Sequence, residues 1–265
     1  MSTCRKSVAL REGTFFEKTK ISLKQWIVLL YWWAREYAVS DAAQEAEVEE
    51  KTAIQAYQYC RDICSWRLLN HDAPLMLGGP GVVVQIDESL FRHKPKVKEN
   101  KSIFTYGFYG IPFLQHHRGR PTRSEVWVFG MCDTSQTPAL GVMCTVHDRT
   151  ARTLLPLLQQ HLRSGTVVHS DQWAAYNHVQ QLQQVSQHNT VNHSLHFVDS
   201  TTGVHTQNIE SYWNRVKGKF KRMKGVHESM LTSYLDEFMW RERHGRSAST
   251  AFRNVCRDIC LRYPQ

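Results

Sequence analysis

Three carboxylates stand in segments whose chemistry belongs together. Asp87 closes a short β-branched run in VVVQIDES, Asp171 follows a second run in VVHSDQWAAY, and Glu210 lies early in HTQNIESYWNRVK, a segment of helical periodicity. The separations are 171 − 87 = 84 and 210 − 171 = 39 residues. Hard divalent ions such as Mg²⁺ take oxygen ligands, so carboxylates delivered by separate elements suit them. Two such ions about 3.5–4 Å apart drive phosphodiester hydrolysis and strand transfer, one activating the attacking water or 3′-hydroxyl and the other steadying the leaving oxygen. Asp87, Asp171 and Glu210 are therefore the expected catalytic and metal-binding residues, with two Mg²⁺ or Mn²⁺ ions as cofactor. Taken singly, each has a plainer reading: a strand-terminal Asp is a common turn former or helix cap, and a lone helix Glu is usually a solvated surface group. The competing acids are Glu88, Asp133, Asp148, Asp199 and Glu237. Asp133 and Asp148 read as turn or cap residues, and Glu88 points off the opposite side of the strand from Asp87.

Lys217 lies seven residues after Glu210. That is nearly two helical turns, so both side chains leave the same side of the helix, where a lysine can hold a DNA phosphate. Lys219, Lys221, Arg222 and Lys224 extend a basic stripe that reads as DNA-binding, as a nuclear-import signal or as a solvated face. His188, His193, His196 and His205 match no common zinc spacing; His205, just ahead of the third acid, is a secondary candidate for substrate contact. The string CRDIC occurs twice, at Cys60–Cys64 and Cys256–Cys260. Cysteines four apart on a helix share a face, and without further ligands nearby they read as packing residues.

The elements that must position these groups follow from periodicity. Apolar residues recur at helical spacing over 22–37, with Ser22 as N-cap, and shorter helices fit 41–46 and 51–66. This is the layout of a helix-turn-helix unit, in which Thr52, Gln55 and Gln58 would face DNA. LGGPG at 77–81 reads as a turn, since no GK[ST] follows it. Strands are expected at 82–86, 125–131, 139–146 and 166–169, with a fifth at 195–198. Helices are expected at 150–162, 206–223 and 228–243. The order βββ-α-β-α-β-α is that of an α/β RNase H-like core, a mixed sheet with flanking helices. The expected division is a helical DNA-binding region at 1–76, a catalytic domain at 77–245 and a C-terminal tail helix at 246–265.

The chain has 265 residues and a net charge of 33 − 24 = +9, with pI near 9.3. Such an excess favours a polyanionic partner, because neutralising phosphates releases condensed counterions. No apolar stretch reaches the roughly 20 residues of a membrane span, and MSTCRKSVALREG has no apolar leader core. A non-membrane protein of the nucleus is expected, or of the cytoplasm if the source is not eukaryotic.

GGPGVVVQIDES, RGRPTRSEVWVFGM, VVHSDQWAAY and HTQNIESYWNRVK, in this order, resemble the Merlin superfamily of DDE transposases over roughly residues 10–245. The resemblance implies an RNase H-like fold, divalent metal, a cut-and-paste reaction, and double-stranded DNA partners in the form of terminal inverted repeats and target DNA, engaged by a homo-oligomer. Carried across motif by motif, it assigns Asp87, Asp171 and Glu210 as the acids and Lys217 as the downstream lysine. It makes Asn208 a secondary candidate, since some relatives use Asn as the third catalytic residue. Many members carry an N-terminal zinc ribbon, where here only Cys4 precedes the helices. A second departure is the segment 97–115, which separates FRHKPK from HHRGRPTR. Its aromatic residues follow no clean period, and its Val-Lys start and Leu-Gln end can be encoded by intron boundaries. Its 115 − 97 + 1 = 19 codons keep the frame, so it reads either as a translated short intron or as an insertion hairpin. Two other functions compete: a domesticated DNA-binding protein that keeps the core as scaffold, and a nuclease of RNA–DNA hybrids.

Overall fold

The computed structural model describes residues 11–92, 125–192, 198–199 and 202–264. The segment 97–115 and the histidines at 193 and 196 lie outside them. Five strands form one mixed sheet in the order β3-β2-β1-β4-β5: β1 (Val83–Arg92), β2 (Glu125–Asp133), β3 (Leu140–Val146), β4 (Thr166–Asp171) and β5 (Val185–Val191). The first three are antiparallel neighbours, and β4 and β5 add in parallel. With helices on both faces, this is the RNase H-like arrangement expected from the strand order.

Alternation decides which helix each residue meets. Val84 and Ile86 of β1 join Phe129, Met131 and Val168 under Leu154 and Leu158 of α4 (Ala151–His161). Phe91 of β1 joins Val128, Cys132 and Met143 under Ile209, Tyr212, Trp213 and Val216 of α5 (Gln207–Arg222), with Leu231 and Leu235 of α6 (Leu231–His244). Asp87 shares the odd-numbered face of β1 with Phe91 and so looks toward α5.

Two strand expectations change. The first strand runs on to Arg92 instead of ending at Asp87, because β2 pairs with it along its whole length. The fifth strand is Val185–Val191, while 193–197 lie outside the described residues and Val198 makes only an isolated bridge to His205. VSQHNTV is polar because β5 is an edge strand with three of its side chains exposed and two half-buried, and a polar edge carries no period-2 signal. No full helix separates β4 from β5; short 3₁₀ turns at Ala174–Tyr176 and Val179–Gln181 make the crossover.

The N-terminal helices are α1 (Leu23–Ala34), α2 (Val39–Glu45) and α3 (Glu50–Trp66). Ser22 and Gln25 form a capping box at the start of α1. Their core is shared with the far end of the chain: Ala251, Val255 and Ile259 of α7 (Ala248–Arg262) and Trp240 of α6 pack among Trp26, Leu30, Trp33, Cys60 and Cys64. Burial pushes both Cys60 and Cys64 thiols up, as suits inert packing groups.

Candidate active site

Strand register brings the two aspartates together. Val83, Val84 and Gln85 of β1 pair with Val167, Val168 and His169 of β4, an offset of 167 − 83 = 84. Asp87 and Asp171 are also 84 apart, so the same register, carried two residues further, sets them on adjoining strands and the same face. Asp171 Oδ1 accepts the backbone N–H of Trp173 at 2.9 Å, and Asp87 Oδ2 accepts the indole N–H of Trp213 at 3.1 Å. Trp213 reaches Asp87 by crossing Gly130, the β2 partner of Asp87, where any Cβ would overlap the indole.

The third acid is positioned by a residue that periodicity did not nominate. Gln85 is 1% exposed, a buried amide inside the run VVVQI. Its Nε2 donates to the His205 carbonyl at 2.8 Å, and its Oε1 accepts the backbone N–H groups of Asn208 and Ile209 at 2.9 and 3.1 Å. The first amides of a helix have no partner within it, so Gln85 fixes the start of α5 to the strand that carries Asp87. Asn208 enters this contact through its backbone, and His205 through its carbonyl, its ring lying 3.3 Å from Gln85 Nε2. Glu210 follows Ile209 directly, half-buried in the first turn of α5. The only sequence sign of this clamp was a polar residue in an otherwise β-branched strand. Gln85→Leu should strand two amides, at about 1–3 kcal/mol each, and loosen the Glu210 turn, whereas Gln85→Glu keeps the acceptor. A melting temperature for Gln85→Leu equal to wild type would remove Gln85 from this role.

Three carboxylates suit Mg²⁺ or Mn²⁺ in donor type. Among the described residues, however, no three His, Cys, Asp or Glu side chains are gathered closely enough to hold one ion. Asp87 and Asp171 adjoin through the sheet, and Glu210 is delivered to the same face by α5 without joining them in a ligand cluster. Negative charge accumulates here. Burial, with Asp87 and Asp171 adding to it, pushes the Glu88 carboxyl on the opposite face up to about 7, against the pull of Tyr176 and Arg149. The other competing acids have structural partners. Asp133 accepts the N–H groups of Gly78 and Ser135, Asp148 those of Thr150 and the Thr153 hydroxyl, and Asp199 that of Thr202.

Residues 81–243 match the model of the ISXO2-like transposase domain. The chain belongs to this family. No curated protein sequence matches it. Among solved structures it is similar to a simian T-cell lymphotropic virus intasome bound to the PP2A regulatory subunit B56 gamma, with 11% identity, a TM-score of 0.36, and coverage of 82% of this chain and 68% of the other. It is also similar to a pre-cleavage Mos1 transpososome, with 9% identity, a TM-score of 0.32, and coverage of 84% and 71%.

The transposase domain also sorts the basic residues nominated for DNA. Burial lowers the Lys217 pKa while Asp87 opposes the shift, and its Nζ stands 5.5 Å from the Phe91 ring centroid. Lys217 thus lies on the Asp87 side of α5. Lys221 and Arg222 are exposed. Lys219 leaves the expected stripe: its side chain is 13% exposed and pairs with Glu237 at 3.0 Å and Glu36 at 3.3 Å. The helical rotation of two residues from Lys217 turns it under α6, where its charge is already neutralised. On α3, Gln55 and Gln58 are exposed and Thr52 is half-buried, with Gln55 donating to the Tyr59 hydroxyl. Exposed Glu45, Glu47, Glu49 and Glu50 crowd the beginning of that helix and would repel phosphates from its first turn.

Proposed function

We propose that this ISXO2-like transposase is a catalytically competent DNA transposase of the Merlin type. In this reading it cuts at terminal inverted repeats and joins the released ends to target DNA as a homo-oligomer in the nucleus. The observation that supports the reading is the shared offset of 84 residues, which sets Asp87 and Asp171 on neighbouring strands and on the sheet face that packs against α5, the helix that bears Glu210 and Lys217. Asp87, Asp171 and Glu210 would hold the divalent ions, which supply an activated oxygen nucleophile and charge stabilisation at the leaving oxygen. Lys217, with Lys221 and Arg222 further along α5, would bind the phosphates of the strand being processed. Gln85 and Trp213 keep Glu210 and Asp87 oriented.

Incubating the full chain with labelled DNA that ends in a terminal inverted repeat, in Mg²⁺ or Mn²⁺, tests the proposal. Cleavage at the repeat end by wild type, and none by Asp171→Asn, is expected. Tight binding without cleavage would assign the chain to domesticated DNA-binding proteins instead, and preferential cutting of RNA–DNA hybrids would make it a nuclease.

The same assay tests the proposed end-reading unit. Because α1–α3 share their core with α6 and α7, deleting them would expose that core, so surface substitution is the informative change. Replacing Thr52, Gln55 and Gln58 together by Ala should lower affinity for terminal-repeat DNA by roughly 1–3 kcal/mol for each lost base contact, while random duplex is affected far less. Equal losses on both DNAs would leave α3 with nonspecific contacts only.

A further inference from the structure

Beside Asp171 stands a group of flat side chains that the carboxylate chemistry does not use. Trp173 lies two residues beyond Asp171, and its backbone N–H is the donor to Asp171 Oδ1. Its indole N–H donates to the Arg149 carbonyl at 3.4 Å. The Arg149 guanidinium carbon stands over the Trp173 ring at 4.7 Å from its centroid and over the Trp127 ring at 3.8 Å. Arg149 therefore bridges an inner indole on β2 and an outer indole at the end of β4. The outer one is 41% exposed.

A single exposed tryptophan needs no explanation. This one is fixed at its backbone, at its ring nitrogen and across a ring face, so its orientation is set before anything binds. Guanidinium groups stack on aromatic faces and make them electrostatically attractive to a further π system. The Trp173 backbone N–H holds Asp171, so the indole stands at the rim of the aspartates, on the α4 side of the sheet where Trp127 packs, within reach of a phosphodiester strand bound there by a chain of net charge +9. A base inside a duplex already has both faces stacked. Away from a duplex terminus, only an unpaired or flipped base can offer a face to an indole, and base–aromatic stacking is tolerant of sequence.

We propose that Trp173, braced by Arg149 and Trp127, is a stacking platform for an unpaired nucleobase of the DNA strand held at Asp87 and Asp171. The protein then engages a frayed or flipped nucleotide at the reacting end in preference to a fully paired one. This rests on the transposase reading above and adds the state of the substrate to it.

The test uses the full chain and two labelled probes of equal length, oligothymidylate and a blunt duplex, with binding followed by fluorescence anisotropy. Trp173→Ala should weaken oligothymidylate binding about tenfold and duplex binding less than about twofold. Trp173→Phe, which keeps a ring, should restore most of the loss. Arg149→Gln, which removes the brace and leaves the indole, should weaken oligothymidylate binding in the same direction, so the proposal stays testable if Trp173→Ala does not fold. Unchanged binding of oligothymidylate by both variants, or equal losses on both probes, overturns the platform while wild-type cleavage of repeat ends keeps the transposase reading. A wild-type chain that binds neither probe and cuts no DNA defeats that reading, and the platform with it.

Discussion

Asp87→Asn, Asp171→Asn and Glu210→Gln, each made alone, are expected to lower cleavage of repeat-end DNA by about a thousandfold or more. Metal-assisted phosphoryl transfer draws several kcal/mol of transition-state stabilisation from the bound ions, and each 1.36 kcal/mol is about a factor of ten in rate. The amides keep the shape of the acids and remove one ligand charge each. The structure adds a distinction among the three. Asp87 accepts the Trp213 indole N–H and Asp171 accepts the Trp173 amide, and a correctly turned amide oxygen can still accept both. Folding should therefore be nearly unchanged, with circular dichroism melts close to wild type and duplex binding retained. A variant that cuts at the wild-type rate removes its residue from the metal-binding set. A variant that loses cleavage together with its melting transition shows a structural role instead.

Glu237→Gln should be the most destabilising single change in the helical half of the molecule, costing about 3–5 kcal/mol, the scale of breaking a buried ion pair by removing one partner. The Glu237 carboxylate is 4% exposed and contacts Lys219 at 3.0 Å and Arg241 Nε at 2.9 Å. Arg241 also donates to the carbonyls of Trp33 and Ala34 at the end of α1 and stands over the Trp33 ring. One carboxylate thus ties α5, α6 and α1 together, and its loss leaves two cations with little counter-charge. Burial alone would raise the Glu237 pKa, but Lys219 and Arg241 overcome it and hold the carboxyl at about 2. Its folded value is below the unfolded value of about 4.3. Its stabilisation is therefore full above the unfolded value and is lost as pH falls toward 2. Urea denaturation across that range should show wild type and Glu237→Gln converging as the carboxylate is protonated. A cost below about 1 kcal/mol at neutral pH, in the range of an exposed pair, would show that the network contributes little.

Much of the site was readable before any coordinates, and the readable part was local or depended on arithmetic that survives folding. Ser22 with Gln25 announces a helix start, and Asp133 and Asp148 announce turns, because each bonds groups within a few residues of itself. Asp87 and Asp171 stood out as acids bordering two β-branched runs, and Lys217 as a partner of Glu210 through helical spacing. Gln85, Trp213 and Gly130 did not stand out. A polar side chain in a strand, an aromatic in a helix and a glycine in a strand each have ordinary readings. Their roles come from α5 lying across β1 and β2, at separations of 80 to 130 residues in sequence that no periodicity encodes.

By itself the sequence determined the element types over most of the chain, the mixed α/β class, the acids worth testing and the basic character suited to nucleic acid. Spacing and composition act over a few residues or over the whole chain, and both survive without coordinates. The tertiary structure decided where long-range pairing intervened. It made a polar segment, Val185–Val191, the edge strand beside β4. It folded α7 back into the N-terminal helices, so that the two ends of the chain share one core. It turned Lys219 from a surface cation into a buried counter-charge for Glu237, because a helix residue's environment is set by what packs on that side. It brought Arg149 between Trp127 and Trp173 at the rim of the carboxylates, three residues that the chain keeps 22 and 24 positions apart and only the sheet brings into contact.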